Sequence, residues 1–224
     1  DLIAGGVDRD TLFGDSGNDR MWGGSQNDFL FGGDGEDQLK GGTGDDSLYG
    51  GQGKDDIHGD TGNDTIYGDD GDDIVCGDAA DDSVFGGAGN DIVYGWIGND
   101  WLAGNEGNDI IHCEQGNDTA HGSEGNDTIY GGDGDDIVCG DAADDSVFGG
   151  AGNDIVYGWI GNDWLAGDDG HDIIHCEQGN DTAHGGEGND TIYGGDGNDI
   201  VCGDAADDSV LGGAGNDIVY GWIG

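Results

Sequence analysis

The chain has 224 residues, of which 54 are glycine and none is proline. It carries 51 acidic against 4 basic side chains, and its formal net charge at pH 7 is −47. This charge excludes nucleic acid and an anionic membrane surface as partners, and no apolar run is long enough for membrane insertion. An acidic, glycine-rich composition is typical of disorder, so any fold must be argued from the pattern of residues.

One nine-residue unit repeats along the whole chain without insertion or deletion. Residues 131–139 show it clearly, with glycine at positions one, two and four, aspartate at position six and an aliphatic residue at position eight. The aspartate recurs once in every unit from Asp1 to Asp217. A strict period of this kind indicates stacked repeats rather than disorder.

A longer period begins after the divergent units of residues 1–62. A block of seven units, the long block, covers 63–125, recurs over 126–188 with five differences, and starts again at 189–224, where it is truncated. Because the number of units is odd, equivalent residues of successive blocks are predicted on opposite faces. We predict a single solenoid over 1–224 rather than two domains, and the truncated pattern predicts that flanking segments are missing.

Position eight is apolar in every unit, and its two neighbours point away from it in the alternation typical of a strand. Three residues make a very short strand, and the other six, of the type Gly-Gly-x-Gly-x-Asp, have turn composition because glycine accepts positive φ. The sequence therefore predicts an all-β parallel β-roll. It has two nonapeptides per coil and two short-stranded parallel sheets around the position-eight side chains.

The turn composition also indicates a calcium site. Calcium takes six to eight oxygen ligands from carboxylates and backbone carbonyls, whereas magnesium prefers a strict octahedron and keeps its waters. One turn supplies too few oxygens, but the turn two units further on would lie directly above it. An ion between each pair of stacked turns predicts about 20 Ca²⁺ ions, whose charge offsets most of the acidic charge.

The pattern Gly-Gly-x-Gly-x-Asp-x-aliphatic-x resembles the calcium-binding nonapeptide of the RTX (repeats-in-toxin) family over essentially the whole chain. The resemblance implies a β-roll in which the aspartate and backbone carbonyls bind calcium. It also implies a secreted, extracellular or cell-surface chain that folds on meeting calcium. The metal ligands that it implies are Asp19, Asp37, Asp46, Asp55, Asp64, Asp73, Asp91, Asp100, Asp109, Asp118, Asp127, Asp136, Asp154, Asp163, Asp172, Asp181, Asp190, Asp199 and Asp217.

Some turns depart from this pattern. Alanine replaces the third glycine in three of them, which puts calcium there in doubt because alanine tolerates positive φ less well. Asp8 and Gln26 replace the same glycine near the start. Cys113 and Cys176 replace the first glycine, and this weakens the calcium prediction for their turns less severely. The alanine turns are those of Ala80 with Asp82, Ala143 with Asp145, and Ala206 with Asp208.

Three tryptophans, each followed by isoleucine, replace the second glycine, and this place in the turn predicts that they are exposed. Three interpretations stay open. Either the ring folds over its own coil, or it contacts a partner such as another rod, with carbohydrate or cell-surface contact as a further interpretation. The partner-binding candidates are Trp96, Trp159 and Trp222.

Large apolar residues also flank the core positions, and their ordinary β-propensity competes with lateral association as the explanation. One row, with a member in every second unit, consists of Phe13, Phe31, Tyr49, Tyr67 and Phe85. The five cysteines are predicted to be free thiols, because sheet spacing separates Cys76 from Cys113 too widely for a disulfide. Neighbouring residues point to opposite faces of a strand, so His112, Cys113 and Glu114 are not expected to bind zinc.

Serine, histidine and aspartate occur only in repeated slots, so no enzyme activity is predicted. The first hypothesis is a calcium-dependent, rigid extracellular rod that associates end to end within a filament, matrix or surface-layer protein. The repeat pattern shows no capping unit at either end, which supports this hypothesis. The alternatives are a secretion and folding module of a larger secreted toxin or enzyme, and an adhesin stalk.

Overall fold

The computed structural model describes residues 1–221 and consists of short β-strands joined by tight turns. Over these residues there is no helix that is long and apolar enough to cross a membrane. The chain divides into two compact units, Asp1–His112 and Cys113–Gly224, which are built in the same way. The continuity of one solenoid over residues 1–224 stays a prediction.

The first unit contains strands of five or six residues, one in each nonapeptide. They are Leu2–Gly6 (β1), Thr11–Ser16 (β2), Arg20–Ser25 (β3), Phe29–Asp34 (β4), Gln38–Thr43 (β5), Ser47–Gln52 (β6), Asp56–Thr61 (β7), Thr65–Asp70 (β8), Ile74–Ala79 (β9), Ser83–Ala88 (β10), Ile92–Ile97 (β11) and Trp101–Glu106 (β12). The next strand, Ile110–Gln115 (β13), lies across the division between the units.

The second unit continues the same rhythm, with some shorter strands near its end. They are Thr119–Glu124 (β14), Thr128–Asp133 (β15), Ile137–Ala142 (β16), Ser146–Gly152 (β17), Ile155–Ile160 (β18), Trp164–Gly170 (β19), Ile173–Gln178 (β20), Thr182–Glu187 (β21), Thr191–Tyr193 (β22), Asp196–Gly197 (β23), Ile200–Ala205 (β24), Ser209–Leu211 (β25), Ala214–Gly215 (β26) and Ile218–Tyr220 (β27).

Successive nonapeptides contribute their strands to opposite sheets. In the first unit one sheet has the order β1-β3-β5-β7-β9-β11 and the other β2-β4-β6-β8-β10-β12. In the second unit the orders are β15-β17-β19-β21-β24-β27 and β14-β16-β18-β20-β22-β25. Neighbouring strands are parallel and shifted by two nonapeptides, as where Leu48 lies opposite Ile66. Two strands and two turns therefore form one coil, and the predicted all-β parallel β-roll is confirmed.

The side chains at position eight form the core between the two sheets. From Met21 to Val201 each of them has no exposed surface, whereas Val219 is 46% exposed. The residues on either side point outward and are mostly half-buried. Each core side chain is thus covered by the coils before and after it, so the stability of a coil depends on its neighbours.

The strands are longer than the very short ones predicted from the sequence. The strand Ser47–Gln52 runs on into the first two glycines of the following unit, and Gly33 pairs with Gly51 in the ladder. These two glycines have φ angles of 108° and 110°. Stacked glycines with the same conformation continue the backbone pairing without a side chain, so the turn proper contains only positions four to six.

Truncation of a core side chain should destabilise the fold. Leu48 has no exposed surface, and we expect Leu48→Ala to lower the free energy of unfolding of the calcium-loaded chain by about 2–5 kcal/mol, measured by denaturant titration. Leu2 is 74% exposed, so Leu2→Ala serves as the control and should change this value by less than about 0.5 kcal/mol. Equal effects of the two substitutions would contradict the assigned core.

Candidate functional site

The aspartates at position six point into the structure rather than into solvent. From Asp19 to Asp199 their exposure is at most 3%, and Asp217 is half-buried. In each unit these aspartates form two columns, one along each edge of the coils, and all the metal-ligand candidates named from the sequence belong to such columns. Buried carboxylates are rare in proteins unless a partner compensates their charge. The two columns are therefore the chemically unusual feature of this fold.

One oxygen of each of these carboxylates is held by the backbone one coil earlier. The N–H of Asp55 donates a hydrogen bond to Oδ1 of Asp73 over 2.8 Å, and the N–H of Asp73 donates in the same way to Asp91. In the second unit the N–H of Asp136 donates to Asp154 over 2.8 Å. This chain of contacts fixes both the position and the rotamer of the carboxylates in the column.

The other oxygen, Oδ2, has no such compensation. In Asp73, Asp91 and Asp154, for example, Oδ2 is buried and has no hydrogen-bond partner among residues 1–221. A buried polar oxygen without a partner costs about 1–3 kcal/mol, and more if it is charged. The geometry therefore requires either a proton or a cation at this oxygen.

A backbone carbonyl lies beside the same oxygen. A methyl group added to Gly86, at position one, would lie 2.5 Å from Asp91 Oδ2 and 2.8 Å from the carbonyl oxygen of Gly104 in the next coil. At Gly149 the corresponding distances are 2.6 Å to Asp154 Oδ2 and 2.8 Å to the carbonyl of Gly167. We call this space the turn cradle. It lies between the position-one glycine, the aspartate of the same turn and the position-one carbonyl of the next coil. Only glycine leaves it open.

The turns with alanine in place of the third glycine keep this geometry. Ala80, Ala143 and Ala206 have φ angles of 93°, 89° and 89°, which strains an alanine but preserves the path of the backbone. Oδ2 of Asp82 remains buried beside Gly77. The sequence put calcium at these turns in doubt. The backbone ladder, rather than the third glycine, positions their carboxylates. The same holds at Gln26, where Asp28 is buried like the rest.

Cysteine occupies position one in two of the turns. Cys113 and Cys176 have no exposed surface, and each stands where the other turns have the glycine of the cradle. Burial raises the pKa of the Cys176 thiol, and the charges of Asp181, Asp199 and Asp163 raise it further. The thiol thus lies next to these carboxylates, in the space that glycine leaves open. All five cysteines are free thiols, as predicted, and all are buried.

Burial makes the ionised form of these carboxyls unfavourable. Loss of hydration raises the pKa of Asp64 and of Asp145 to about 8, although the hydrogen bond from the preceding coil lowers it. The pKa values of Asp73 and Asp91 are raised to about 7 for the same reason. Neighbouring aspartates of the column, such as Asp55 beside Asp73, add like-charge repulsion. A cation at the cradle would relieve both effects.

The donors of the cradle suit calcium. They are carboxylate and carbonyl oxygens, which are hard ligands, and each site can draw on two stacked turns to reach the number of oxygens that Ca²⁺ requires. The carboxylates would hold the ion, and the carbonyls of the position-one residues would complete the cradle. The fold and the turns together thus define a calcium-binding β-solenoid.

The family model described as RTX calcium-binding nonapeptide repeat (4 copies) matches residues 1–30, 31–65, 49–84, 77–111, 114–147, 140–174, 177–210 and 203–224. The chain belongs to this family. RTX repeats bind calcium, and their β-roll is a structural calcium-binding fold rather than a known enzyme fold. Proteins with these repeats are typically secreted. No curated protein matches the chain.

The tryptophans at the turn corners are half-exposed, as predicted. Trp96 is 44% exposed and stacks on Tyr94 of its own strand, with the ring centroids 5.7 Å apart. Trp159 and Tyr157 repeat this arrangement at 5.7 Å. The ring therefore lies over its own coil while one side stays exposed, and contact with a partner or with carbohydrate stays a prediction. Trp222 lies outside the described residues.

Aromatic residues flanking the core form a continuous stack on the other sheet of the first unit. Their ring centroids are 4.9–5.1 Å apart and the rings are nearly parallel. The spacing follows from the parallel register, which places the same position of each coil directly above the last. The stack consists of Phe13, Phe31, Tyr49, Tyr67 and Phe85.

Acidification should favour the fold in the absence of metal. The pKa values of Asp64, Asp73 and Asp91 in the fold lie above the ordinary value of 3.8, so the folded chain holds protons that the unfolded chain releases. Its stability therefore falls as the pH rises from about 4 to about 8. We expect the circular dichroism of the metal-free chain to show more β-structure at about pH 5 than at about pH 8.

Calcium should remove most of this dependence, because it takes the place of the protons at the carboxylates. A metal-free chain whose β-signal is greater at high pH would contradict the assigned burial of the carboxyl groups.

Neighbouring aspartates offer a matched pair of substitutions. Asp73 is buried in the column, whereas Asp72 is exposed and accepts a hydrogen bond from the N–H of Asn90. We expect Asp73→Asn to lower the free energy of unfolding of the calcium-loaded chain by about 1–3 kcal/mol and to reduce the calcium bound, measured by titration calorimetry. Asp72→Asn should leave both quantities nearly unchanged. Similar losses in the two variants would show that calcium responds to net charge rather than to the cradle.

Proposed function

We propose that this chain is a calcium-folded structural rod, and that it forms a segment of an extracellular filament, matrix or surface-layer protein. The observation that carries the proposal is the pair of carboxylate columns, in which Oδ2 atoms such as those of Asp73, Asp91 and Asp154 are buried beside an open cradle. At neutral pH the fold must either keep these groups protonated or bind cations. Folding thereby becomes conditional on calcium.

We assign the ions to the cradles of the aspartates that the RTX pattern marks, from Asp19 to Asp217, with about 20 ions in all. The cradles of Asp28, Asp82 and Asp145 are included, because their carboxylates are buried in the same way. The cradles of Asp118 and Asp181 are the weakest members of the set, since Cys113 and Cys176 take the place of their glycines. Each ion would join two successive coils, so the ions stiffen the stack along its length.

The surface of the repeat supports a structural role. The long block presents the same half-exposed pair in each described copy, Tyr94 with Trp96 and Tyr157 with Trp159. Identical apolar contacts at regular intervals suit lateral association between rods, because the same contact can be made many times. End-to-end association through open sheet edges would extend such a rod.

A second candidate is a folding module that assists the export of a larger secreted protein. The family to which the chain belongs favours it, because RTX proteins are typically secreted. A chain that is unfolded without calcium and folds in its presence would serve both roles. The two candidates differ in whether the folded chain associates with itself. An adhesin stalk would likewise stay a single rod.

Calcium-dependent folding and association can be measured on the same sample. We expect circular dichroism to show disorder in excess EGTA and β-structure on addition of calcium, with little response to magnesium. Sedimentation and electron microscopy of the calcium-loaded chain should then show filaments of uniform width. A β-structured chain in excess EGTA would refute the calcium mechanism. A calcium-folded monomer would refute the filament and favour the export module or the stalk.

A further inference from the structure

A second type of metal-ligand cluster lies on the outer face of the sheet that contains β21 and β24. It consists of His184, Cys202 and Asp204, whose ligand atoms all lie within 4.8 Å of one another. His184 Nδ1 is 2.9 Å from Asp204 Oδ2. We propose that this triad, and its two equivalents in the chain, each bind a zinc-class divalent ion that is distinct from the calcium of the turns.

The parallel register explains why these three residues converge. His184 lies directly opposite Cys202 in the ladder, because both occupy position nine of their nonapeptides in successive coils. Asp204 is at position two with a φ angle of 68°, and this left-handed conformation lets its carboxylate meet the ring of His184. The sequence gives no simple sign of the triad, because the histidine stands a full coil before the other two members.

The same three residue types recur in register twice more, at the spacing of the long block, although among the described residues the His184 group alone has all three ligand atoms within 4.8 Å. His121 lies opposite Cys139 in the ladder, and its Nδ1 is 3.0 Å from Asp141 Oδ2. Cys76 lies opposite a histidine in the same manner. In that copy the members are His58, Cys76 and Asp78, with 2.9 Å between His58 Nδ1 and Asp78 Oδ2.

The first copy is informative because its histidine precedes the long block. His58 follows Asp56 and Ile57, whereas the equivalent His121 follows Thr119 and Ala120. The local sequence thus differs, yet the histidine stands at the same place relative to its cysteine. Simple duplication of the long block does not account for this agreement. It points to a contact that all three copies share.

The ligand set suits a borderline-soft ion. A thiolate, an imidazole and a carboxylate are three of the ligands that Zn²⁺ prefers, and a fourth position open to water completes a tetrahedron. Calcium prefers oxygen ligands and would compete poorly for the sulfur and nitrogen. The triad and the turn cradle are therefore predicted to select different ions.

Solvent access to the triads is also suitable for metal binding. Cys76 and Cys139 are 4% exposed, whereas the side chains of His58 and His121 are about one-third exposed, so an ion can reach the cluster from solvent. Metal binding displaces the proton of the thiol and the proton that His Nδ1 shares with the carboxylate.

Cobalt(II) is the probe for this proposal, because its bond to a thiolate gives a charge-transfer absorption in the near ultraviolet. The full chain, saturated with calcium, is titrated with Co²⁺ and then with Zn²⁺. We expect the band to saturate at three equivalents, one for each triad, to persist in excess calcium and to disappear when Zn²⁺ displaces Co²⁺. Absence of the band, or its loss in excess calcium, would overturn the proposal.

Cysteine variants locate the sites. Cys202→Ser should reduce the band by about one third, and replacing Cys76 and Cys139 as well should abolish it. Cys176→Ser removes a buried thiol that is not part of a triad, so the full band should remain. A band that survives loss of the three triad cysteines would refute the assignment.

A conservative variant keeps the test valid if loss of a thiol disturbs folding. Asp204→Asn retains both Cys202 and His184 and changes only the charge of the third ligand. We expect this variant to keep its β-structure by circular dichroism and its thiolate band. Its zinc affinity at one of the sites should fall by about tenfold or more. Unchanged zinc affinity in this variant would exclude the carboxylate from the site.

Discussion

The structure depends on the burial of one carboxylate per nonapeptide. Each carboxylate accepts the backbone N–H of the aspartate one coil earlier, as Asp73 does from Asp55, so the column is part of the scaffold. This contact satisfies one oxygen and leaves Oδ2 of Asp73 facing the turn cradle. The same interaction that aligns successive coils therefore leaves an oxygen that requires a proton or a cation.

This arrangement links stability to the environment of the protein. The core consists of one aliphatic side chain per strand, which buries little surface for a chain with a net charge of −47. Repulsion between ionised carboxylates opposes stacking, whereas protons or calcium remove it. Under the proposed calcium mechanism the free energy of ion binding contributes to folding, so the chain would stay unfolded until it meets its ion.

Two periods carry two different kinds of information. The nine-residue unit supplies the core and the turn cradle, which are the same from coil to coil. The long block varies the outer positions, and it places Trp96 on Tyr94 and Cys139 beside His121. Outer side chains can vary in this way because they contribute little to the stacking of the core. Specific contacts of this protein are therefore expected from the slower period.

The sequence by itself determined the β-roll and the inward direction of core residues such as Leu48, because a strict period forces every unit into the same environment. It underestimated the strands, since stacked glycines such as Gly33 and Gly51 continue the ladder beyond the apolar residues. It also put calcium at the turn of Ala80 in doubt, although the neighbouring coil positions the aspartate carboxylate of that turn. Only the tertiary structure brought His184 and Asp204 together, because that contact depends on parallel register and on a left-handed backbone at position two.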